Sequence, residues 1–116
     1  MSRAIQWVKL TNNRWPELQT VNLESIGDVA GVYVIWHSGQ PGKWVRVGQG
    51  NIKQRLSPHR ADASIMRFNQ HGLFVSWASV PQIDRDGVEA YLAASCNPLV
   101  GERFPDRIPI EVNLPQ

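Results

Sequence analysis

Hydrophobic and polar positions follow two different periods along this chain, one typical of strands and one of helices. GVYVIWH (31–37) is rich in β-branched and aromatic residues, which indicates a strand. SGQPG (38–42) is a strong turn signal, and KWVRV (43–47) predicts the returning strand of an antiparallel hairpin. LFVSWASV (73–80) predicts a third strand.

Helix signals occur in three places. Asn51 is a suitable N-cap for a helix that Pro58 is expected to interrupt. Ser57 is then expected to cap a second helix, with Pro58 in its first turn and its end at Gly72. Residues 84–97 form the clearest helical pattern, because their apolar positions recur at i, i+3, i+4 and i+7. The element order β-β-α-α-β-α predicts a small α+β domain.

The ends of the chain are expected to be extended. We divide the sequence into an N-terminal leader packed on the domain (1–28), the domain itself (29–102) and an extended C-terminal tail (103–116). Trp15-Pro16 favours an extended stretch in the leader. The prolines of the tail keep it extended, with an edge strand predicted over 108–112.

Composition narrows the class of protein. A chain of 116 residues that is 42% hydrophobic and 19% charged fits one soluble globular domain. A net charge of +2 and a pI near 9.0 are compatible with nucleic acid as a partner. The single cysteine, Cys96, excludes an intrachain disulfide and a cysteine zinc cluster. With no signal peptide or membrane-length apolar run, we expect a cytoplasmic protein without a membrane partner. Five tryptophans predict either a core of large rings or rings available for stacking.

Tyr33 and Gly48 are the first candidates for chemistry. Either the Tyr33 ring fills the core, or its phenol lies near the opposing strand's glycine and accepts a proton from water. Gly48 either marks the end of a strand or lets a phosphate approach the backbone closely. Arg46, two residues earlier, is either a solvated strand residue or a source of charge beside that phosphate.

Basic side chains concentrate in the region that follows. Arg55 follows Gly48 by seven residues and is either a surface arginine or a phosphate ligand. Lys53, Arg60 and Arg67 extend the basic region. If Arg60 and Arg67 lie on one helix, they are two turns apart, share a face and form a phosphate track.

His59 and Glu89 each have two interpretations. His59 is either structural or a second acid–base group, and a helix break at Pro58 would separate it from Arg55. Asp86-Gly87-Val88-Glu89 matches a capping box, so Glu89 either holds a helix start or ligates Mg²⁺.

Taken in order, these motifs resemble the GIY-YIG endonuclease superfamily. The series is Gly31-Val32-Tyr33, then Val47-Gly48, then 51–56 with Arg55, then Glu89 on a helix. The resemblance covers residues 29–102. It implies a three-stranded antiparallel sheet flanked by helices, and a DNA endonuclease that uses one divalent metal, Mg²⁺ (or Mn²⁺).

The resemblance also implies roles for the matching residues. Tyr33 would help to activate the attacking water, Arg55 would stabilise the pentavalent phosphate, and Glu89 would bind the metal. The chain departs from the family pattern at the second motif, where Arg46 replaces a tyrosine, and an asparagine expected after the last helix has no match. We expect no separate DNA-binding domain, so DNA would be recognised by its structure or through a partner protein.

Three hypotheses follow. The first is a metal-dependent DNA endonuclease. The second is a nucleic-acid-binding module on the same fold that has lost catalysis and keeps the basic track. The third is an unrelated α+β interaction domain, which predicts exposed tryptophans and Tyr33, Arg55 and Glu89 on different sides. Oligomeric state is left open.

Overall fold

The computed structural model describes residues 4–9, 14–39, 42–101 and 108–115. Within them, helices and strands follow in this order: α1 (Leu23–Ile26), β1 (Ala30–His37), β2 (Lys43–Asn51), α2 (Ile52–His59), α3 (Ala63–Met66), a 3₁₀ turn (Asn69–His71), β3 (Leu73–Ser79) and α4 (Gln82–Cys96).

The three strands form one antiparallel sheet with β1 in the centre, in the order β2-β1-β3. The protein therefore has the predicted small α+β fold, a three-stranded antiparallel sheet flanked by helices. Strand β2 continues four residues beyond its predicted end at Val47. As a result, Gly48 and Gly50 lie inside the strand, opposite Tyr33 and Gly31 of β1.

Both faces of the sheet are covered, which explains why β1 is a nearly continuous apolar run. On the face covered by α2 and α3 (the α2 face), the core contains Tyr33, Ile35, Val45, Ile52, Leu56, Ile65, Leu73, Val75 and Trp77. On the face covered by α4 (the α4 face), it contains Val32, Val34, Val47, Val80, Val88, Leu92, Cys96 and Val112.

A β-bulge at Val45 interrupts the pairing of β1 with β2. Ile35 pairs with Arg46 and Trp36 pairs with Trp44, so Val45 is the extra residue on β2. A bulge re-aims the side chains on its strand. Val45 packs in the core of the α2 face. Arg46 pairs with Ile35 of that core and so belongs to the same face.

Irregular segments cover both edges of the sheet. Along β3, the amide of Leu18 donates to Leu73 (3.0 Å) and the carbonyl of Pro16 accepts from Val75 (2.9 Å). The extended stretch predicted after Trp15 is therefore confirmed. Along β2, the amide of Val100 donates to the carbonyl of Val45 (2.8 Å).

The predicted helix break at Pro58 is wrong, because α2 continues through it to His59. A proline lacks the N–H group, and in the last turn of a helix this removes only one intrahelical bond. The chain then leaves α2 through tight turns in which Arg60 donates to Ser57 and Ala61 donates to Pro58. The N-cap prediction is confirmed, since the side chain of Asn51 accepts from the Gln54 amide (3.2 Å).

The predicted second helix is also different. It is the short α3, capped by Asp62, whose carboxylate accepts from the Ser64 amide (2.9 Å). Asp62 is a better N-cap than the predicted Ser57 because Ser57 is already inside α2. Arg60 and Arg67 follow the ends of two separate helices, so the shared helical face proposed for them is wrong.

The capping box predicted at Asp86 is wrong as well. Helix α4 begins at Gln82, after Pro81, and both Asp86 and Glu89 lie in its interior. They are three residues apart and share one face of the helix.

The predicted edge strand over 108–112 does not form, and within that range only Val112 makes a single β-bridge. Ile110 donates its amide to the carbonyl of Gly87, so this segment lies against α4 (2.9 Å). Residues 103–107 of the predicted tail, and Gln40 and Pro41 of the predicted turn, lie outside the described residues.

Candidate active site

Tyr33 and His59 form a hydrogen-bonded pair on the α2 face. The phenol oxygen of Tyr33 lies 2.7 Å from Nε2 of His59, and the ring of Tyr33 is buried. Because α2 runs through Pro58, its last residue, His59, reaches back over the sheet to β1. Sequence reasoning separated His59 from Arg55, whereas the intact helix places them at i and i+4, on one face.

Gly48 makes room for the phenol. A Cβ atom at Gly48 would lie 2.3 Å from the Tyr33 hydroxyl oxygen, far inside van der Waals contact. Its lack of a side chain therefore keeps Tyr33 in place, which is the close approach to the opposing glycine that the sequence predicted. Gly48 acts here on the phenol, and its role toward a phosphate stays a prediction.

Arg46 acts on the same phenol. Its guanidinium interacts with the Tyr33 oxygen through both charge and hydrogen bonding, and a guanidinium only donates. The phenol oxygen has a second lone pair as well as its O–H, so the imidazole tautomer decides whether Tyr33 donates to His59 or accepts from it.

The electrostatics of the pair favour two neutral groups. Burial lowers the pKa of His59, the charge of Arg46 lowers it further, Asp62 opposes this shift, and Arg55 adds a smaller lowering. Burial raises the pKa of Tyr33, while Arg46 and Arg55 act to lower it. The resting pair is therefore a neutral phenol hydrogen-bonded to a neutral imidazole.

Arg55 approaches the same group of residues from α2. Gly50, with φ +123°, leaves space for its side chain, because a Cβ atom there would lie 2.8 Å from Nε of Arg55. Arg55 is exposed to solvent and pairs with no carboxylate in the described part of the chain. We call Tyr33, Arg46, Arg55 and His59 the Tyr33 cluster.

Glu89 approaches from α4, on the other side of β2. Its Oε1 accepts from Nε2 of Gln49 (3.0 Å), and the same nitrogen donates to Oδ1 of Asp86 (2.5 Å). Gln49 points to the α4 face because it alternates with Gly48 and Gly50 along β2. One amide nitrogen thus holds two carboxylates close together.

The charge of Glu89 is coupled to the Tyr33 cluster. Burial raises the pKa of Glu89, and nearby Asp86 raises it further, while Gln49, Arg46 and Arg55 oppose the shift. Glu89 in turn acts to raise the pKa of Tyr33. Tyr33, Arg55 and Glu89 therefore act on one another electrostatically, although Glu89 approaches from the α4 face and Tyr33 lies on the α2 face.

The donor set of Glu89 and Asp86 fits a small divalent cation. Mg²⁺ is commonly held by one or two carboxylates together with water and substrate phosphate. Rotation of the Gln49 amide would add a neutral oxygen to the two carboxylates. No group of three or more His, Cys, Asp or Glu residues that could hold a metal occurs in the described ranges.

The other predicted basic residues are engaged elsewhere. Arg60 donates from Nε to the carbonyl of Leu18 (2.8 Å) and from its terminal nitrogen to the carbonyl of Val21. Lys53 lies 3.8 Å from the carboxylate of Glu24, and Arg67 lies over the ring of its neighbour Phe68 at 4.7 Å. Each of these three cations therefore already has a contact of its own.

Sequence reasoning missed Gln49 and Asp86. The signal for Asp86 was present, since it lies three residues before Glu89 in a helical pattern, but the capping-box interpretation concealed it. Gln49 carried no signal beyond its position between two glycines. Of the five tryptophans, all within the described ranges, only Trp77 is buried, and the other four are partly buried, so neither interpretation of the tryptophans accounts for all of them.

No protein-family model, curated protein or solved structure matches this chain. None of the helices in the described part is long and apolar enough to cross a membrane.

Proposed function

We propose that this protein is a metal-dependent endonuclease that hydrolyses DNA phosphodiester bonds in the manner of the GIY-YIG superfamily. The observation that carries the proposal is the Tyr33–His59 hydrogen bond of 2.7 Å beside two arginines without carboxylate partners. A buried phenol between an acceptor and a cation is suited to moving a proton, and unpaired guanidinium groups are suited to a phosphate.

The proposed proton path uses the His59 tautomer in which Nε2 accepts from the phenol. As water attacks the phosphorus, its proton passes to the Tyr33 oxygen while the Tyr33 proton passes to Nε2 of His59. The phenol is thus neutral before and after the step, and the imidazole gains the charge. Arg46 stabilises negative charge that develops on the phenol oxygen, and burial prevents loss of the proton to bulk water.

Arg55 and Glu89 divide the remaining electrostatic work. Arg55 supplies a fixed positive charge to the phosphate as the pentavalent transition state develops. Glu89, with Asp86 and Gln49, would hold Mg²⁺ (or Mn²⁺). When bound, that ion would polarise the phosphate and stabilise the leaving oxygen.

The proposed partner is DNA, recognised by its structure or through another protein. We propose a cytoplasmic setting, in which the lone thiol of Cys96 stays reduced. Cys96 is buried, which raises its pKa to about 11 and keeps the thiol unreactive.

The test is a nicking assay on supercoiled and branched DNA with Mg²⁺ or Mn²⁺. We expect wild type and Arg67→Ala to cut at similar rates, and Arg55→Ala and Glu89→Ala to be at least about 100-fold slower. Equal cutting by all four proteins would indicate a contaminating nuclease and reject the mechanism.

The binding-only alternative predicts a different result. No cutting by any of the proteins, together with salt-sensitive binding of DNA, would favour a nucleic-acid-binding module that has lost catalysis. The engagement of Lys53, Arg60 and Arg67 in other contacts reduces the support for that alternative, because it depended on their forming a phosphate track.

A further inference from the structure

Arg46 has a buried nitrogen without a hydrogen-bond partner. Its Nε is the only buried side-chain nitrogen or oxygen of which this is true in the described part of the chain. Buried polar groups in native proteins almost always find partners, and an isolated exception often marks the place of a ligand or ion. The exception here belongs to the residue that replaces the second tyrosine of the motif.

No carboxylate of the described residues is in direct contact with Arg46. Arg46 forms no ion pair with a described carboxylate, and the same is true of Arg55. Both cations act electrostatically on His59, Tyr33 and the Glu89 carboxylate. Since neither guanidinium is held by a described carboxylate, an anion beside them would not have to displace one.

The backbone brings the two arginines to this place from different elements. Arg46 lies on the α2 face because it alternates with Gly48 along β2, and α2 carries Arg55 across Gly50. Gly48, between them along β2, contributes no side chain. An anion beside Tyr33 could therefore contact one guanidinium from the strand and another from the helix.

We infer that Arg46 and Arg55 together form a binding site for a phosphate group of a nucleic-acid backbone, with Arg46 donating through Nε. A guanidinium donates two parallel hydrogen bonds to neighbouring phosphate oxygens, which a tyrosine cannot do. Nε is covered by protein in the free state, so the phosphate draws the Arg46 guanidinium toward itself. The missing hydrogen bond of the free state lowers the cost of that movement.

This inference rests on the proposed nuclease function for its choice of ligand, and extends it by assigning Arg46 to the substrate. It also predicts binding without metal, because two arginines supply the positive charge. Phosphate affinity in the presence of a chelator is therefore a property that can be measured separately from cleavage.

The experiment follows the arginine Nε–H signals by NMR during titration of the whole protein in EDTA. The probes are inorganic phosphate and the dinucleotide pTpT, which distinguish a free phosphate from a diester. The Arg46 signal is assigned by its loss in Arg46→Lys. We expect the Arg46 Nε–H signal to shift with pTpT concentration until it saturates, and its hydrogen exchange to become slower. Both effects should be weaker with inorganic phosphate.

Variants separate Arg46 from general charge. Arg46→Lys keeps the charge but not the paired donors, and we expect it to bind pTpT about tenfold more weakly. Arg67→Lys is the matched control, since Arg67 lies over Phe68, and it should bind as wild type does. An Arg46 Nε–H signal that does not respond, or equal affinities for Arg46→Lys and Arg67→Lys, would overturn the inference.

The outcomes also distinguish this inference from the proposed function. Binding through Arg46 without cutting of any DNA would support the phosphate site and reject the nuclease. If Arg46→Lys cuts DNA as fast as wild type and the Arg46 Nε–H signal does not respond to pTpT, the nuclease would be supported and the phosphate site rejected. If Arg46→Lys fails to fold, the wild-type titration still decides through the Arg46 signal, assigned by through-bond connection to its backbone.

Discussion

Two groups of cations lie close together in the sequence, and their surroundings differ. Arg46 and Arg55 belong to the Tyr33 cluster, pair with no described carboxylate and act on a phenol and an imidazole. Lys53, Arg60 and Arg67, which we call the outer cations, contact a carboxylate, two carbonyl oxygens and an aromatic ring. The partners already present therefore distinguish the two groups.

The largest expected difference between the groups is in catalysis. Arg55→Ala should lower the rate of DNA cutting by about 10²–10³, the usual effect of removing one group that stabilises transition-state charge. Arg60→Ala should leave the rate per folded molecule within about twofold, because Arg60 holds the leader. Single-turnover nicking with both proteins at equal folded concentration checks this, and a similar loss for both would remove the distinction.

Stability should show the reverse order. Arg60→Ala removes two charge-assisted hydrogen bonds to the carbonyls of Leu18 and Val21, and we expect a loss of about 2–4 kcal/mol in the free energy of unfolding. Arg55 is exposed, and Arg55→Ala should change the free energy of unfolding by less than about 0.5 kcal/mol. Urea unfolding measures both values. Equal stabilities would mean that the contacts of Arg60 contribute little.

The dependence on pH separates the Tyr33 cluster from the rest of the molecule. His59 has a lowered pKa, so below about pH 6.5 the unfolded chain takes up a proton that the folded protein does not. The free energy of unfolding should therefore fall as the pH falls from 7 toward 5. His59→Gln should make that dependence flatter.

His37 provides the matched control for this prediction. Burial also lowers its pKa, yet it stacks on Phe68 and lies at a tilt against His71, away from the Tyr33 cluster. His37→Gln should flatten the pH dependence of stability and leave the pH dependence of cutting unchanged. If the rate of DNA cutting at low pH changes in His37→Gln and not in His59→Gln, then His59 is not the group that accepts the proton from Tyr33.

The smallest effects should come from the other two outer cations. The Lys53–Glu24 pair is at the surface, and Arg67 contacts only its neighbouring ring in the described part of the chain. Lys53→Ala and Arg67→Ala should each change stability by less than about 1 kcal/mol and cutting by about twofold or less. A tenfold, salt-dependent loss of DNA binding in either variant would instead support the hypothesis that these cations form a phosphate track.

Much of the fold could be predicted because local patterns agree with it. The hairpin, the third strand and the helix capped by Asn51 each have a periodic pattern bounded by turn or cap residues. The errors occurred where one residue type has two structural uses. Pro58 can interrupt a helix or lie in its last turn, and Asp86 can cap a helix or lie inside one.

The site was predictable only in part. Tyr33, Gly48, Arg55 and Glu89 were identified by spacing and resemblance, and the pairing of Tyr33 with Gly48 followed from the hairpin. The hydrogen bond to His59 depended on how α2 ends, which the sequence did not reveal. Likewise, the burial of Arg46 Nε without a partner depends on side-chain packing, which leaves no periodic signal in a strand.

The central claim is that Tyr33 passes the proton of the attacking water to His59. The most direct measurement is the single-turnover rate of DNA nicking with Mg²⁺ by wild type and by Tyr33→Phe, which removes one oxygen and keeps the ring. The account predicts that Tyr33→Phe folds with near-normal stability and cuts about 10²–10⁴-fold more slowly. Equal rates for the two proteins, or no cutting by wild type on any DNA structure, would contradict it.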